Sequence, residues 1–112
     1  MTSHTDVDKI FKYLNKCKIY TEEADLLSDT KRFVELIPDA IVVRIDAGSE
    51  RGKSDCIMCV NGKFIAAELK DDEGKPSKQQ LNFIKKVKQA NGISGICRTL
   101  EDVYELLLLA CD

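Results

Sequence analysis

Apolar residues recur along this chain with two different periods, and the changes of period mark out its elements. Val7, Ile10, Phe11 and Leu14 have the spacing of one helix face, which predicts a first helix over about 6–16 with Thr5 as its N-cap. A second helical stretch begins near Thr21 or Ser28 and carries Leu26, Leu27, Phe33, Val34, Leu36 and Ile37. It stops at Pro38-Asp39, because proline cannot continue a helix. The spacing leaves open whether this stretch is one helix or two. Ala40 to Ile45 is short and β-branched, hence a strand, and 46–54 is a polar loop with two glycines.

The period then becomes two. Asn61-Gly62 separates two β-rich apolar runs, and both residues tolerate the positive φ of a tight type I′ turn. A two-residue loop fixes the register: Val60 faces Lys63, Cys59 faces Phe64, Met58 faces Ile65, and counting back puts Asp55 opposite Glu68. Ile57, Cys59, Phe64 and Ala66 share the Asp55–Glu68 face, while Met58, Val60, Ile65, Ala67 and Leu69 take the other. Both faces are largely apolar, which predicts a central hairpin in a sheet covered on both sides.

Residues 71–76 read as a loop. Ser77-Lys-Gln-Gln80 opens a helix running to about Asn91, closed by Gly92 at C′, with Leu81, Ile84, Val87 and Phe83 as its buried stripe. Ile93 to Arg98 is a fourth strand, and Thr99-Leu-Glu-Asp102 caps a last helix carrying Val103, Leu106, Leu107 and Ala110. The fold class is therefore α/β, with a mixed β-sheet flanked by helices.

Composition narrows the setting. A chain of 112 residues, 44% hydrophobic and 32% charged, suits a single globular domain over 1–112. No run approaches a membrane span, the polar start lacks the apolar core of a signal peptide, and five cysteines at irregular spacing suit a reducing compartment. These features place the protein in the cytoplasm, with no membrane partner. The net charge of −2 makes no general case for nucleic acid. Its distribution does more, since Gly74 to Leu100 contains Lys75, Lys78, Lys85, Lys86, Lys88 and Arg98 and no acid. Such a basic surface on an acidic domain suits phosphate binding, although a solvated helix face has the same composition.

The chemistry lies at the hairpin end. Opposed side chains on an antiparallel pair have Cβ atoms about 4.5–5.5 Å apart, so Asp55 and Glu68 call for a positive group between them. Two carboxylates, a backbone carbonyl and waters complete the octahedral oxygen shell of Mg²⁺ or Mn²⁺. Lys70, on the same face, can orient or deprotonate water or neutralise charge on a phosphoryl group. Cys56-x-x-Cys59 is not a metal motif, because i and i+3 side chains of a strand point to opposite faces. His4, the sole histidine, is expected in a loose terminus.

Gly52-Lys-Ser-Asp55, Glu68-Leu-Lys70 and Ser77-x-x-Gln80-x-x-Phe83 together resemble the PD-(D/E)XK nuclease signature, in particular its small VRR-NUC branch. The match covers roughly 40–103. The resemblance implies a restriction-endonuclease-like αβββαβ core, with Asp55, Glu68 and the Leu69 backbone carbonyl as metal ligands. It makes Lys70 the catalytic lysine and puts Gln80 beside the site, with Gln79 as the alternative should the helix phase differ. The family's further acidic ligand falls nearest to Asp29 by spacing, with Glu23, Asp25 and Glu35 as rivals. Ser54 stands where the family usually has proline.

The activity so implied is that of a divalent-metal-dependent, structure-specific DNA endonuclease similar to Holliday-junction resolvases, in a bacterial or phage-infected cell. Lys75, Lys78, Lys85, Lys86 and Lys88 would grip DNA, branched or junction molecules would be the substrates, and a homodimer would make symmetric cuts. The all-round apolar run Leu106 to Leu109 suits either a dimer contact or burial within the monomer. A helicase is a candidate partner. Alternatives are a flap or nicking nuclease, a non-catalytic nucleic-acid-binding module of the same fold, or a phage or host interaction protein.

Overall fold

The computed structural model describes residues 1–14, 18–45 and 56–111. In chain order the elements are α1 (His4–Leu14), α2 (Glu23–Glu35), β1 (Ala40–Ile45), β2 (Cys56–Val60), β3 (Lys63–Leu69), α3 (Lys78–Gln89), β4 (Ile93–Cys97) and α4 (Leu100–Leu109). The strands form one sheet in the order β1-β2-β3-β4. β1, β2 and β3 are antiparallel neighbours, and β4 returns parallel to β3 after the α3 crossover. The architecture is α/β, a mixed sheet flanked by helices.

The turn chemistry acts as expected. Asn61 and Gly62 adopt φ of 53° and 78°, and the ladder pairs Val60 with Lys63, Cys59 with Phe64 and Met58 with Ile65. Met58, Val60, Ile65, Ala67 and Leu69 are wholly buried in one apolar layer with Val7, Leu26, Phe33, Leu100, Val103 and Leu107. That layer joins α1, α2 and α4 to one face of the sheet. Phe11 stacks on Tyr104 with ring centroids 4.4 Å apart and tilts toward Phe33, which locks the three helices together. α2 is one helix, since a single buried stripe through Leu26, Thr30, Phe33 and Val34 faces the core throughout.

Several details differ from the sequence reading. α1 begins at His4, because the Ser3 hydroxyl accepts the Asp6 N–H at 3.2 Å while Asp6 accepts the Ser3 N–H at 2.9 Å. This reciprocal cap makes Ser3, not Thr5, the N-cap. His4 belongs to the first turn, and its Nε2 lies 3.1 Å from the Cys111 carbonyl, so it is not in a loose end. At the end of α3 the left-handed residue is Asn91, with φ 66°. The Asn91 and Gly92 amides close a Schellman motif on the Lys88 and Val87 carbonyls, at 3.1 and 2.9 Å. Gly92 is required for space, since a Cβ there would stand 2.7 Å from Val87 Cγ1.

The sheet is not covered evenly. α3 packs on β3 and β4, burying Ala66, Ile84, Val87 and Ser94. The same face of β1 is open, with Ile41 61% and Val43 63% exposed. A bulge between Val42 and Arg44 kinks β1 at this point. Leu81 is exposed and does not belong to the buried stripe, because α3 seats only its Ile84–Val87 line on the sheet. Leu107 is buried and Leu106 and Leu108 pack against the core, leaving Leu109 exposed, so α4 uses its apolar circumference within the chain. Among the described residues no helix is long and apolar enough to cross a membrane.

Candidate active site

The pleat of β3 sends Ile65, Ala67 and Leu69 into the helical layer and turns Phe64, Ala66 and Glu68 toward α3. Glu68 thereby becomes a buried acid, its side chain 1% exposed. Burying an isolated carboxylate costs several kcal/mol, so its surroundings must supply compensation. Gln80 Nε2 donates to Glu68 Oε1 at 2.5 Å, and Lys70 Nζ stands 3.9 Å from the same oxygen. At that separation the ammonium attracts the carboxylate without hydrogen bonding to it. Lys70 is itself largely withdrawn, its side chain 17% exposed.

Gln80 is committed at both ends of its amide. Its Oε1 accepts the Ser77 N–H at 2.7 Å while its own backbone N–H donates to the Ser77 hydroxyl at 3.1 Å, completing a capping box. The amide nitrogen is therefore the end turned to Glu68. Cap and site contact are one device, in which the start of α3 fixes the donor that holds the acid. Ser77→Ala is expected to cost about 1 kcal/mol in chemical denaturation, the value of a lost cap. Gln80→Ala should cost about 2–3 kcal/mol, because it also removes a charge-assisted donor from buried Glu68. Equal losses in the two variants would reduce Gln80 to a cap.

Lys70 leads into a loop tied down from three directions. Its backbone N–H donates to the Cys97 carbonyl at 3.0 Å, and the Asp72 N–H donates to the Tyr20 carbonyl at 2.9 Å. Asp71 Oδ1 accepts the Glu73 and Gly74 amides at 3.0 and 2.6 Å. Arg98 Nη1 donates to the Asp71 and Gly74 carbonyls at 2.8 and 2.6 Å. A Cβ on Gly74 would stand 3.2 Å from Asp71 Oδ1 and 3.4 Å from Lys70 Cδ, so the glycine lets the loop fold against the lysine stem. Arg98 is thus a structural clasp, unlike the exposed lysines of the same acid-free stretch. Nothing local in the sequence marks it, because the clasp depends on β4 lying beside β3.

Leu69 has its side chain wholly buried in the helical layer, so only its backbone is available at this end of β3. Asp55 lies outside the described residues; the observed ladder ends with Cys56 opposite Ala67, one pair short of Asp55 and Glu68. Asp29 accepts the Tyr20 hydroxyl at 2.7 Å and pairs with Lys18 at 3.4 Å. Burial and then the hydrogen bond to Asp29 push the Tyr20 phenol well up, which keeps it a donor. Asp29 is thereby connected through Tyr20 to Asp72, two residues beyond Lys70. Glu23 and Asp25 lie in the first turn of α2 and Glu35 at its far end. Lys75, Lys78, Lys85, Lys86 and Lys88 are all exposed, and so is Gln79, beside a cavity of about 590 Å³ bordered by Lys78, Leu81, Asn82 and Lys85.

The buried carboxylate of Glu68 is a hard oxygen donor of the kind Mg²⁺ and Mn²⁺ prefer, and Lys70 beside it suits anionic substrate. Among the described residues no group of three or more His, Cys, Asp or Glu side chains able to hold a metal is present. Comparison with protein-family models, curated proteins and solved structures finds no match to this chain.

Proposed function

We propose that this chain is a Mg²⁺- or Mn²⁺-dependent, structure-specific DNA endonuclease, similar in action to Holliday-junction resolvases. The convergence of Glu68, Lys70 and Gln80 carries the reading, since residues 68, 70 and 80 meet at one buried carboxylate. Asp55, Glu68 and the Leu69 carbonyl are the proposed metal donors, with Asp29 as the outlying candidate. A divalent cation bound there would polarise the scissile phosphodiester and lower the pKa of attacking water.

The chain's own groups supply the remaining functions. Gln80 fixes Glu68 against rotation, and the Lys70 ammonium neutralises charge that develops on the phosphoryl oxygens. The lysines of the 75–88 segment bind flanking phosphates. Arg98 and Tyr20 hold the loop that follows Lys70. The setting is a reducing cytoplasm in a bacterial or phage-infected cell, where Cys56, Cys59, Cys97 and Cys111 stay reduced, none of the four joined in a disulfide.

Junction, flap, splayed and duplex DNAs incubated with the protein, with and without Mn²⁺, test both class and substrate. Metal-dependent cleavage of junctions, with two symmetric cuts made by a homodimer, is expected. Flap or single-strand nicking would reassign the substrate, and binding without cleavage would make the chain a nucleic-acid-binding module. Reversing charge at Lys85 and Lys86 is expected to weaken binding and lower the slope of log K against log salt by about 0.9 for each phosphate that the helix no longer neutralises. An unchanged slope would move the DNA path off α3.

A further inference from the structure

Four residues before Glu68 on the same face of β3, Phe64 stands 47% exposed. It lines a cavity of about 320 Å³ together with Phe83, Lys86, Val87, Ala90 and Gly92. A volume of this order matches a small-ligand pocket. Its walls are aromatic, aliphatic and backbone, and its charged rim residue is a lysine. Gly92 keeps it open, since a Cβ there would press on Val87 and stand 3.4 Å from Phe64 Cδ1.

The position of this slot relative to Glu68 follows from the geometry of two elements. Along β3, Phe64 lies about 13 Å from Glu68. Along α3, Val87 lies two turns, about 10 Å, beyond Gln80. α3 therefore runs antiparallel to β3, with its start at the buried acid and its end at the slot. The helix between them carries Lys78, Lys85, Lys86 and Lys88 and no acid. A polyanion laid along this cationic track would reach both ends at once.

We propose that the Phe64–Phe83 slot binds a single unpaired nucleobase of the DNA substrate, one to three nucleotides from the bond to be cut. The base stacks on an aromatic ring while Lys86 contacts its phosphate, a combination that tolerates any base and requires an interrupted helix. The slot rests on the nuclease reading and deepens it, because it makes an unpaired nucleotide near the scissile phosphate the feature recognised. The charge of the rim selects this occupant. A hydrophobic segment of another protein would fit the walls but would gain nothing from the acid-free helix beside them.

The test is anisotropy binding of a fluorescein-labelled splayed duplex in EDTA, so that no cleavage intervenes. An abasic residue is walked through the unpaired segment in successive versions of the DNA. One position is expected to weaken binding to the wild-type protein by about ten- to hundred-fold, the range for loss of one stacked base. Phe64→Leu, which keeps an apolar side chain at a half-exposed site but has no ring, is expected to lose a similar factor with the intact DNA. It should lose little more with the abasic DNA, because base and ring then report one interaction.

An abasic profile that is flat while the DNA still binds would overturn the slot and leave the nuclease reading standing. Failure of every DNA in the panel to bind, both in EDTA and with Ca²⁺ in its place, would overturn both. Full abasic sensitivity in Phe64→Leu would show that the ring is not the platform. A change of oligomeric state in Phe64→Leu by light scattering, with an unaltered abasic profile, would assign the surface to a contact between copies and overturn the proposal.

Discussion

Lys70→Ala and Glu68→Gln are each expected to reduce metal-dependent DNA cleavage by at least about 10²–10³-fold, the scale on which a preorganised charge acts in a shielded site. The two variants should differ in stability. Glu68→Gln keeps the volume and shape of a wholly buried side chain but removes its charge. Neutralising a buried acid is often stabilising, so its melting temperature is expected to equal or exceed that of the wild type. Lys70→Ala removes the ammonium 3.9 Å from that acid and leaves its charge in place, which should lower stability modestly. Cleavage assays on fully folded samples, checked by circular dichroism, read both effects. Undiminished cleavage by either variant would end the active-site assignment. A large fall in melting temperature for Glu68→Gln would mean that the carboxylate is there for the fold.

The largest stability effect is expected at Asn61. Its amide oxygen accepts the Thr2 N–H at 3.0 Å, and its amide nitrogen donates to the Thr2 and Ala110 carbonyls at 2.7 and 3.1 Å. The hairpin tip thus holds both ends of the chain. The same residue sits at φ 53°, where a Cβ is tolerated poorly by most residues. Asn61→Gly preserves the turn and deletes the clamp, so a loss of about 1–3 kcal/mol is expected from the three bonds together. Asn61→Ala should cost about 1–2 kcal/mol more, because it also forces a non-glycine, non-asparagine residue into the left-handed region. Urea denaturation of the two variants separates turn from clamp. Wild-type stability in Asn61→Gly would show that the terminal bonds contribute nothing.

Asn61 also marks the boundary of what local reading can reach. Its turn was legible, because positive φ is a property of two adjacent residues and the register follows by counting. Its clamp on Thr2 and Ala110 was not, since those partners lie 59 and 49 residues away. Glu68, Lys70 and Gln80 come together because Lys70 follows directly on the end of β3, two residues after Glu68, and Gln80 belongs to a capping box, both short-range devices. Asp55 lies outside the described residues. Asp29 could be placed on α2 by periodicity, but its engagement with Tyr20 and Lys18 depended on how the 18–20 segment returns across the helix.

The sequence by itself determined the type and order of the elements, though not whether the stretch before β1 is one helix, together with the type I′ hairpin, the faces of β3 and the cap that positions Gln80, since each depends on sterics and hydrogen bonds within a few residues. Only the tertiary structure decided that Arg98 clasps the Lys70 loop, that Leu81 stays outside the core and that one face of β1 remains open. It alone placed Phe64 and Phe83 on a shared slot, because each of these outcomes depends on where α3 and β4 settle against β3. That placement is set by side-chain packing between segments distant in the chain, which periodicity along the chain does not encode.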